Sequence, residues 1–100
     1  MTAERAKSGP EFALDPTSGV PFYRQIIQQV EMAIADGRLR TGTQLPTVRS
    51  LAVTLQLNPN TVARAYNELE IRGIVNSQQG TGTFISDKKK NILLYPLFGY

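Results

Sequence analysis

The sequence predicts an α+β domain of three short helices closed by a C-terminal β-hairpin, and three observations carry that prediction. Apolar residues recur at helical spacing in three separate stretches, each bracketed by cap or breaker residues. Only a few residues separate the second stretch from the third. Two β-prone runs then follow, joined by a turn that contains glycine.

The first helix begins near Pro21, where a missing N–H costs nothing at a helix start. Phe22, Ile26, Ile27, Val30, Ala33 and Ile34 form its apolar stripe. Arg24, Gln25, Gln28, Gln29 and Glu31 fill the other face, and Gly37 after Asp36 is the stop. Residues 38–46 are bracketed by Gly42 and Pro46 and leave room for one brief strand. Thr47 then offers an N-cap hydroxyl to a second helix marked by Val48, Leu51, Ala52 and Leu55. Leu57 closes that unit. Asn58 caps the third helix and Pro59 takes its first position, with Val62, Ala65, Tyr66 and Leu69 pointing inward and Gly73 at the end. Tyr66 is a core residue whose hydroxyl reaches the rim. The strands are expected over Ile74–Gln78 and Thr83–Ser86, with Gln79-Gly80-Thr81-Gly82 as the hairpin turn.

Composition removes several function classes. The 100 residues hold one ordinary domain, and 41% apolar content is that of a globular chain. With no cysteine and no histidine, disulfides, thiol nucleophiles, most zinc sites and the commonest general base are gone. There is no phosphate-binding Gly-Lys motif, so no enzyme and no cofactor is expected. No apolar run approaches the roughly 20 residues of a membrane span, and residues 1–10 lack a signal-peptide core. The expectation is therefore a cytoplasmic protein with no membrane partner.

Charge adds a weak hint. Residues 20–86 carry six arginines against four acids, and residues 87–100 carry three lysines against Asp87. A basic excess suits a polyanion without identifying one. Lys88, Lys89 and Lys90 read as a solvated linker that adds non-specific phosphate attraction.

The pattern becomes more specific once the helices are taken together. Two helices joined by a short turn, the second with a polar outer face, make a helix-turn-helix. The outer face of the third helix carries Asn60, Thr61, Arg64 and Asn67, whose amide, hydroxyl and guanidinium groups are the chemistry that reads base edges. Adding the strand and the hairpin gives the winged version. Asn58 to Asn67 would then enter the major groove, while the hairpin, with Gln79 at its turn, reaches an adjacent groove or the phosphates.

Four segments resemble the DNA-binding domain of the GntR family. They are Pro21-Phe22-Tyr23-Arg24-Gln25-Ile26, Leu45-Pro46-Thr47-Val48-Arg49-Ser50-Leu51-Ala52, Asn58-Pro59-Asn60-Thr61-Val62-Ala63-Arg64-Ala65-Tyr66 and Gly80-Thr81-Gly82-Thr83-Phe84-Ile85. The third segment, with Leu69-Glu70 and Gly73 after it, is similar to the YtrA-type branch. The resemblance covers residues 20–86. It implies that Arg49 contacts DNA, that Asn60, Thr61 and Arg64 face bases or phosphates, and that Gly80, Thr81, Gly82 and Thr83 form the wing tip. Pro59 and Ala63 stand where the family often has arginine, so operator preferences do not carry over. Gln56 replaces the glycine common in such turns, and a positive φ there would cost about 1 kcal/mol.

The expected organisation is a flexible arm over residues 1–19, the winged domain over 20–86 and a short tail over 87–100. Phe12 and Leu14 are the arm residues suited to dock on the domain, and Ile92–Phe98 is an apolar segment expected to pack on it or on a partner chain. The expected function is sequence-specific recognition of an operator in double-stranded DNA by a homodimer on an inverted repeat, as a repressor. The alternative is a winged helix that binds protein and no DNA. RNA is a weaker third reading, because the exposed aromatic platform of single-strand readers is missing.

Overall fold

The computed structural model describes residues 12–86. The lysines 88–90 and the apolar segment 92–98 lie outside the described residues, as do residues 1–11 of the arm. The chain forms α1 (Phe22–Ala35), α2 (Val48–Leu55) and α3 (Pro59–Ile71), then β1 (Val75–Gln78) and β2 (Gly82–Ile85). No helix among the described residues is long and apolar enough to cross a membrane.

The helix starts follow local chemistry. Thr47 Oγ1 accepts from the Ser50 N–H at 3.0 Å, and Asn58 Oδ1 accepts from the Asn60 N–H at 2.8 Å. Each satisfies a donor that the helix itself leaves unpaired. Pro59 occupies the first turn as expected, whereas Pro21 stands one residue outside α1 and caps it with its carbonyl alone.

All three helices end in one geometry, the paired hydrogen bonds of a Schellman turn. After α1, the Arg38 N–H reaches Ala33 O at 2.8 Å and the Gly37 N–H reaches Ile34 O. After α3, the Ile74 N–H reaches Leu69 O at 2.9 Å and the Gly73 N–H reaches Glu70 O. After α2, the Leu57 N–H reaches Ala52 O at 2.9 Å and the Gln56 N–H reaches Val53 O. The left-handed position is glycine in two of these turns, with φ of +86° at Gly37 and +78° at Gly73. At the α2 turn it is Gln56, with φ 58° and ψ 45°. The conditional strain at Gln56 is therefore present.

The hairpin pairs Val75 with Ile85, Asn76 with Phe84, Ser77 with Thr83 and Gln78 with Gly82. Its turn is closed by Thr81 N–H to Gln78 O at 2.9 Å, and Gly80 takes φ +83° at the third turn position, where a type II turn requires a positive value. The brief strand expected before α2 is a single bridge, Gln44 to Phe84. It is flanked by Leu45 N–H to Thr83 O and Ile85 N–H to Thr43 O, both 2.8 Å. The 42–45 segment thus lies along β2 and ties the hairpin to the helices.

The core collects Ile26, Ile27, Val30 and Ala33 from α1, Leu51 and Ala52 from α2, and Val62, Ala65, Tyr66 and Leu69 from α3. Leu39, Leu45, Ile74, Val75 and Ile85 close it from the connections and strands. Alanine at 33, 52 and 65 keeps side-chain bulk low on all three helices, which suits close approach. The Tyr66 hydroxyl donates to Pro46 O at 2.6 Å, and burial pushes this phenol well above its ordinary range.

One residue departs from its expected place. Gln25, assigned to the solvated face of α1, is 6% exposed. Its Oε1 accepts from Asp15 N–H at 2.8 Å, and its Nε2 donates to Val20 O at 2.8 Å, Asp15 O at 3.0 Å and Ser18 Oγ at 3.1 Å. One turn on, Gln29 exchanges two hydrogen bonds with the Ala13 backbone, at 2.8 and 2.9 Å. Residues 13–20 therefore lie along α1, with Phe12 and Leu14 packed on the core. The physical reason is that a buried amide is tolerated when its donors and acceptors are all met, and the turn at residues 15–20 meets them through the Asp15 and Val20 backbone and the Ser18 hydroxyl.

Two outcomes follow for stability. Replacing Gln56 with glycine relieves the left-handed strain, offset in part by the freer unfolded chain, and raises stability by about 0.5–1 kcal/mol. Chemical denaturation with circular dichroism measures it, and an unchanged midpoint contradicts the assignment. Tyr66→Phe costs about 1 kcal/mol at neutral pH by leaving Pro46 O unpaired. Because the folded state holds the Tyr66 proton more tightly, its contribution is complete below the unfolded value near 10 and is lost as pH rises above it. The wild-type chain accordingly loses stability more steeply above about pH 10 than Tyr66→Phe does.

Candidate nucleic-acid interface

Burying Val62, Ala65, Tyr66 and Leu69 leaves α3 with an opposite face turned to solvent. At 100° per residue, Asn60, Arg64 and Asn67 fall on the centre of that face, at i, i+4 and i+7. All three are exposed, while Thr61 is half-buried at the edge of the stripe. Asn58 stands at the tip of the same helix. Its side-chain oxygen is engaged in capping Asn60, so its amide NH2 is the group left to contact a ligand.

Arg49 projects from the first turn of α2 and is exposed. Its guanidinium has no partner among the described residues. The wing tip, Gln79, Gly80 and Thr81, is exposed, and Gly82 and Thr83 behind it are half-buried. Thr47 at the start of α2 and wing residues 77–83 line one open trough. Arg49, two residues beyond Thr47 in α2, is not among the residues that line it. The sequence-predicted residues thus fall into separate places: the α3 stripe, the wing residues that line the trough, and Arg49 on the first turn of α2.

The wing tip is held by a residue that the sequence reading passed over. Gln44 Nε2 donates to Thr81 O at 3.0 Å, from 37 positions away in the chain. A Cβ built on Gly82, whose φ is +131°, would lie 2.4 Å from that same Nε2. Glycine at 82 therefore serves both the backbone angle and the approach of the Gln44 amide. Ser77 Oγ and Thr83 Oγ1 add a cross-strand contact at 3.3 Å. The only advance signal for Gln44 was its position within the segment expected to hold one brief strand.

The arginines divide sharply. Arg38 is paired with Asp36 at 2.9 Å, and this hydrogen bond lowers the Asp36 carboxyl below its ordinary value. Arg72 bridges Glu31 of α1 at 3.1 Å and Glu68 of its own helix at 3.3 Å. Arg24, Arg40, Arg49 and Arg64 meet no carboxylate among the described residues. The i+4 pairing available to Arg64 with Glu68 is not made. Arg64 instead lies over the Tyr23 ring, 4.0 Å from its centroid, with Nη2 3.4 Å from the Tyr23 hydroxyl. Unpaired cations on an exposed, amide-rich surface favour a ligand that is anionic and rich in hydrogen-bonding edges.

Comparison with known proteins agrees with this geometry. The chain is 46% identical over 81 residues to the HTH-type transcriptional repressor YtrA of Bacillus subtilis, an alignment covering 81% of this chain and 62% of that protein. Against this and two further curated regulators, the chain spans between 59% and 62% of their length. Among solved structures it is similar to YtrA from Sulfolobus acidocaldarius, a GntR-family transcription factor, with a TM-score of 0.72 and 30% identity over 89% of this chain and 98% of that one. It is also similar to the DNA-binding domain of AraR in complex with operator ORX1, with a TM-score of 0.66 and 25% identity over 80% of this chain and 100% of that one. The family described as bacterial regulatory proteins, gntR family, matches residues 22–85. The winged helix with an exposed, amide- and arginine-bearing third helix thus belongs to the GntR family of bacterial regulatory proteins.

Proposed function

We propose that the chain is the DNA-reading domain of a cytoplasmic transcription repressor that binds an inverted-repeat operator as a homodimer. The observation that carries this reading is the exposed Asn60–Arg64–Asn67 stripe of α3, together with exposed Arg49 on α2 and the wing. Asparagine and arginine are the side chains that pair with two groups at once on adenine and guanine edges. Arg49, and the wing residues Gln79, Gly80, Thr81, Gly82 and Thr83, are suited to the phosphates on either side. The repressor name of the Bacillus YtrA and the operator complex of the AraR domain support the same direction. A single module of this size buries limited surface, so paired half-sites supply the affinity.

Two mutants test the assignment of contacts. With a duplex selected by the wild-type chain from a random pool, Arg64→Ala and Arg49→Ala each weaken binding by at least about fivefold in fluorescence anisotropy. Binding also falls steeply with salt, and removal of a phosphate contact lowers the slope of log affinity against log salt by about 1. Wild-type affinity in both mutants rejects these contacts. Weak, salt-insensitive association by the wild-type chain favours the protein-binding reading instead. Sedimentation checks the pairing: a strict monomer at high concentration, with one chain per duplex, counts against the homodimer.

A further inference from the structure

Tyr23 lies in the first turn of α1, and Arg64 lies 41 positions later on the outer face of α3. The ring is half-buried against the core, whereas the guanidinium above it is exposed. Two contacts between α1 and α3 act on Arg64 together. Arg72, tied to Glu31 of α1, also holds Glu68, the carboxylate that Arg64 would otherwise meet one turn along. The Tyr23 ring, 4.0 Å away, supplies a flat surface in its place. Arg64 therefore meets no carboxylate while its position is set by the ring.

With its carbon 4.0 Å over the ring centroid, the guanidinium uses one Nη2 N–H on the Tyr23 hydroxyl, and its remaining N–H groups are free to form the fork that recognises paired acceptors. The single edge contact, Nη2 to the Tyr23 hydroxyl, is long at 3.4 Å. We propose that Tyr23 is a positioning residue: its ring presets the Arg64 fork for a pair of acceptor atoms on DNA, either a guanine edge or two phosphate oxygens. This inference rests on the DNA-reading function proposed above.

The test is a double-mutant cycle on the full chain, using the duplex selected by wild type from a random pool. Tyr23→Leu weakens binding by about two- to fivefold, and Tyr23→Phe, which keeps the ring face, stays within about twofold of wild type. In an Arg64→Ala background, Tyr23→Leu has no further effect. Equal losses in both backgrounds overturn the proposal, because Tyr23 then acts without Arg64. If Tyr23→Leu does not fold, Tyr23→Met carries the cycle with an unbranched chain that lacks a π face. A drop of about 1 in the salt slope on Arg64→Ala identifies phosphate as the acceptor pair, and relaxed base preference identifies guanine. A wild-type chain without salt-dependent binding rejects the DNA-reading function, and this inference with it. Wild-type binding with additive mutants rejects only the positioning role.

Discussion

The burial of one face of α3 is the constraint on which the rest of the structure depends. Val62 and Leu69 are fully buried, Ala65 beside them as well, and Tyr66 is anchored by its hydroxyl to Pro46 O. A helix of 13 residues fixed along one stripe has no rotational freedom left. The opposite stripe, Asn60, Arg64 and Asn67, is thereby aimed outward, and only Arg64 within it makes a side-chain contact, with Tyr23. The Tyr66 bond adds a second constraint, since Pro46 directly precedes the cap of α2. It sets the spacing between the two helices whose exposed faces hold Arg49 and Arg64.

Short connections make this arrangement possible, and they are built from a repeated device. Each helix ends by turning its chain through a left-handed residue whose neighbours complete the last carbonyls. The turn between α2 and α3 takes only residues 56–58, and there the left-handed residue is Gln56 instead of glycine. The fold tolerates that strain because Leu57, next in the chain, packs on the core and holds the turn closed. Leu57 is half-buried, and its burial, about half of the roughly 1.5–3 kcal/mol of a fully buried leucine, is comparable to a strain of about 1 kcal/mol.

The distribution of charge is equally structured. Six arginines lie in residues 20–86, and the four acids do not neutralise them evenly. Arg72 engages two carboxylates across α1 and α3, and Arg38 engages a third beside the first helix end. Exposed pairs of this kind contribute little stability. Their effect lies in what they withdraw: Asp36, Glu31 and Glu68 sit with Arg38 and Arg72, and none of these three faces Arg49 or Arg64 as an ion pair. The contact of Arg64 with Tyr23 adds no opposing charge, because an aromatic face orients a cation without cancelling its charge.

Much of this was legible in the sequence, for a local reason. Cap residues, glycine stops and apolar periods act within a few positions, so Thr47, Asn58, Gly37, Gly73 and the core faces of all three helices were read in place. The hairpin with Gly80 at its turn was equally local, and so was the exposed stripe once the buried one was known. What escaped were contacts between segments far apart in the chain. Gln25 has the composition of a surface residue, and only the return of residues 13–20 along α1 buries it. Gln44 reaches Thr81, Arg72 reaches Glu31, and Arg64 leaves its local partner for Tyr23. Sequence by itself determined which residues share a face, because the period of a helix or strand is a property of the backbone. The tertiary structure alone decided what covers each face and which long polar side chain meets which partner, because those distances depend on how whole elements pack.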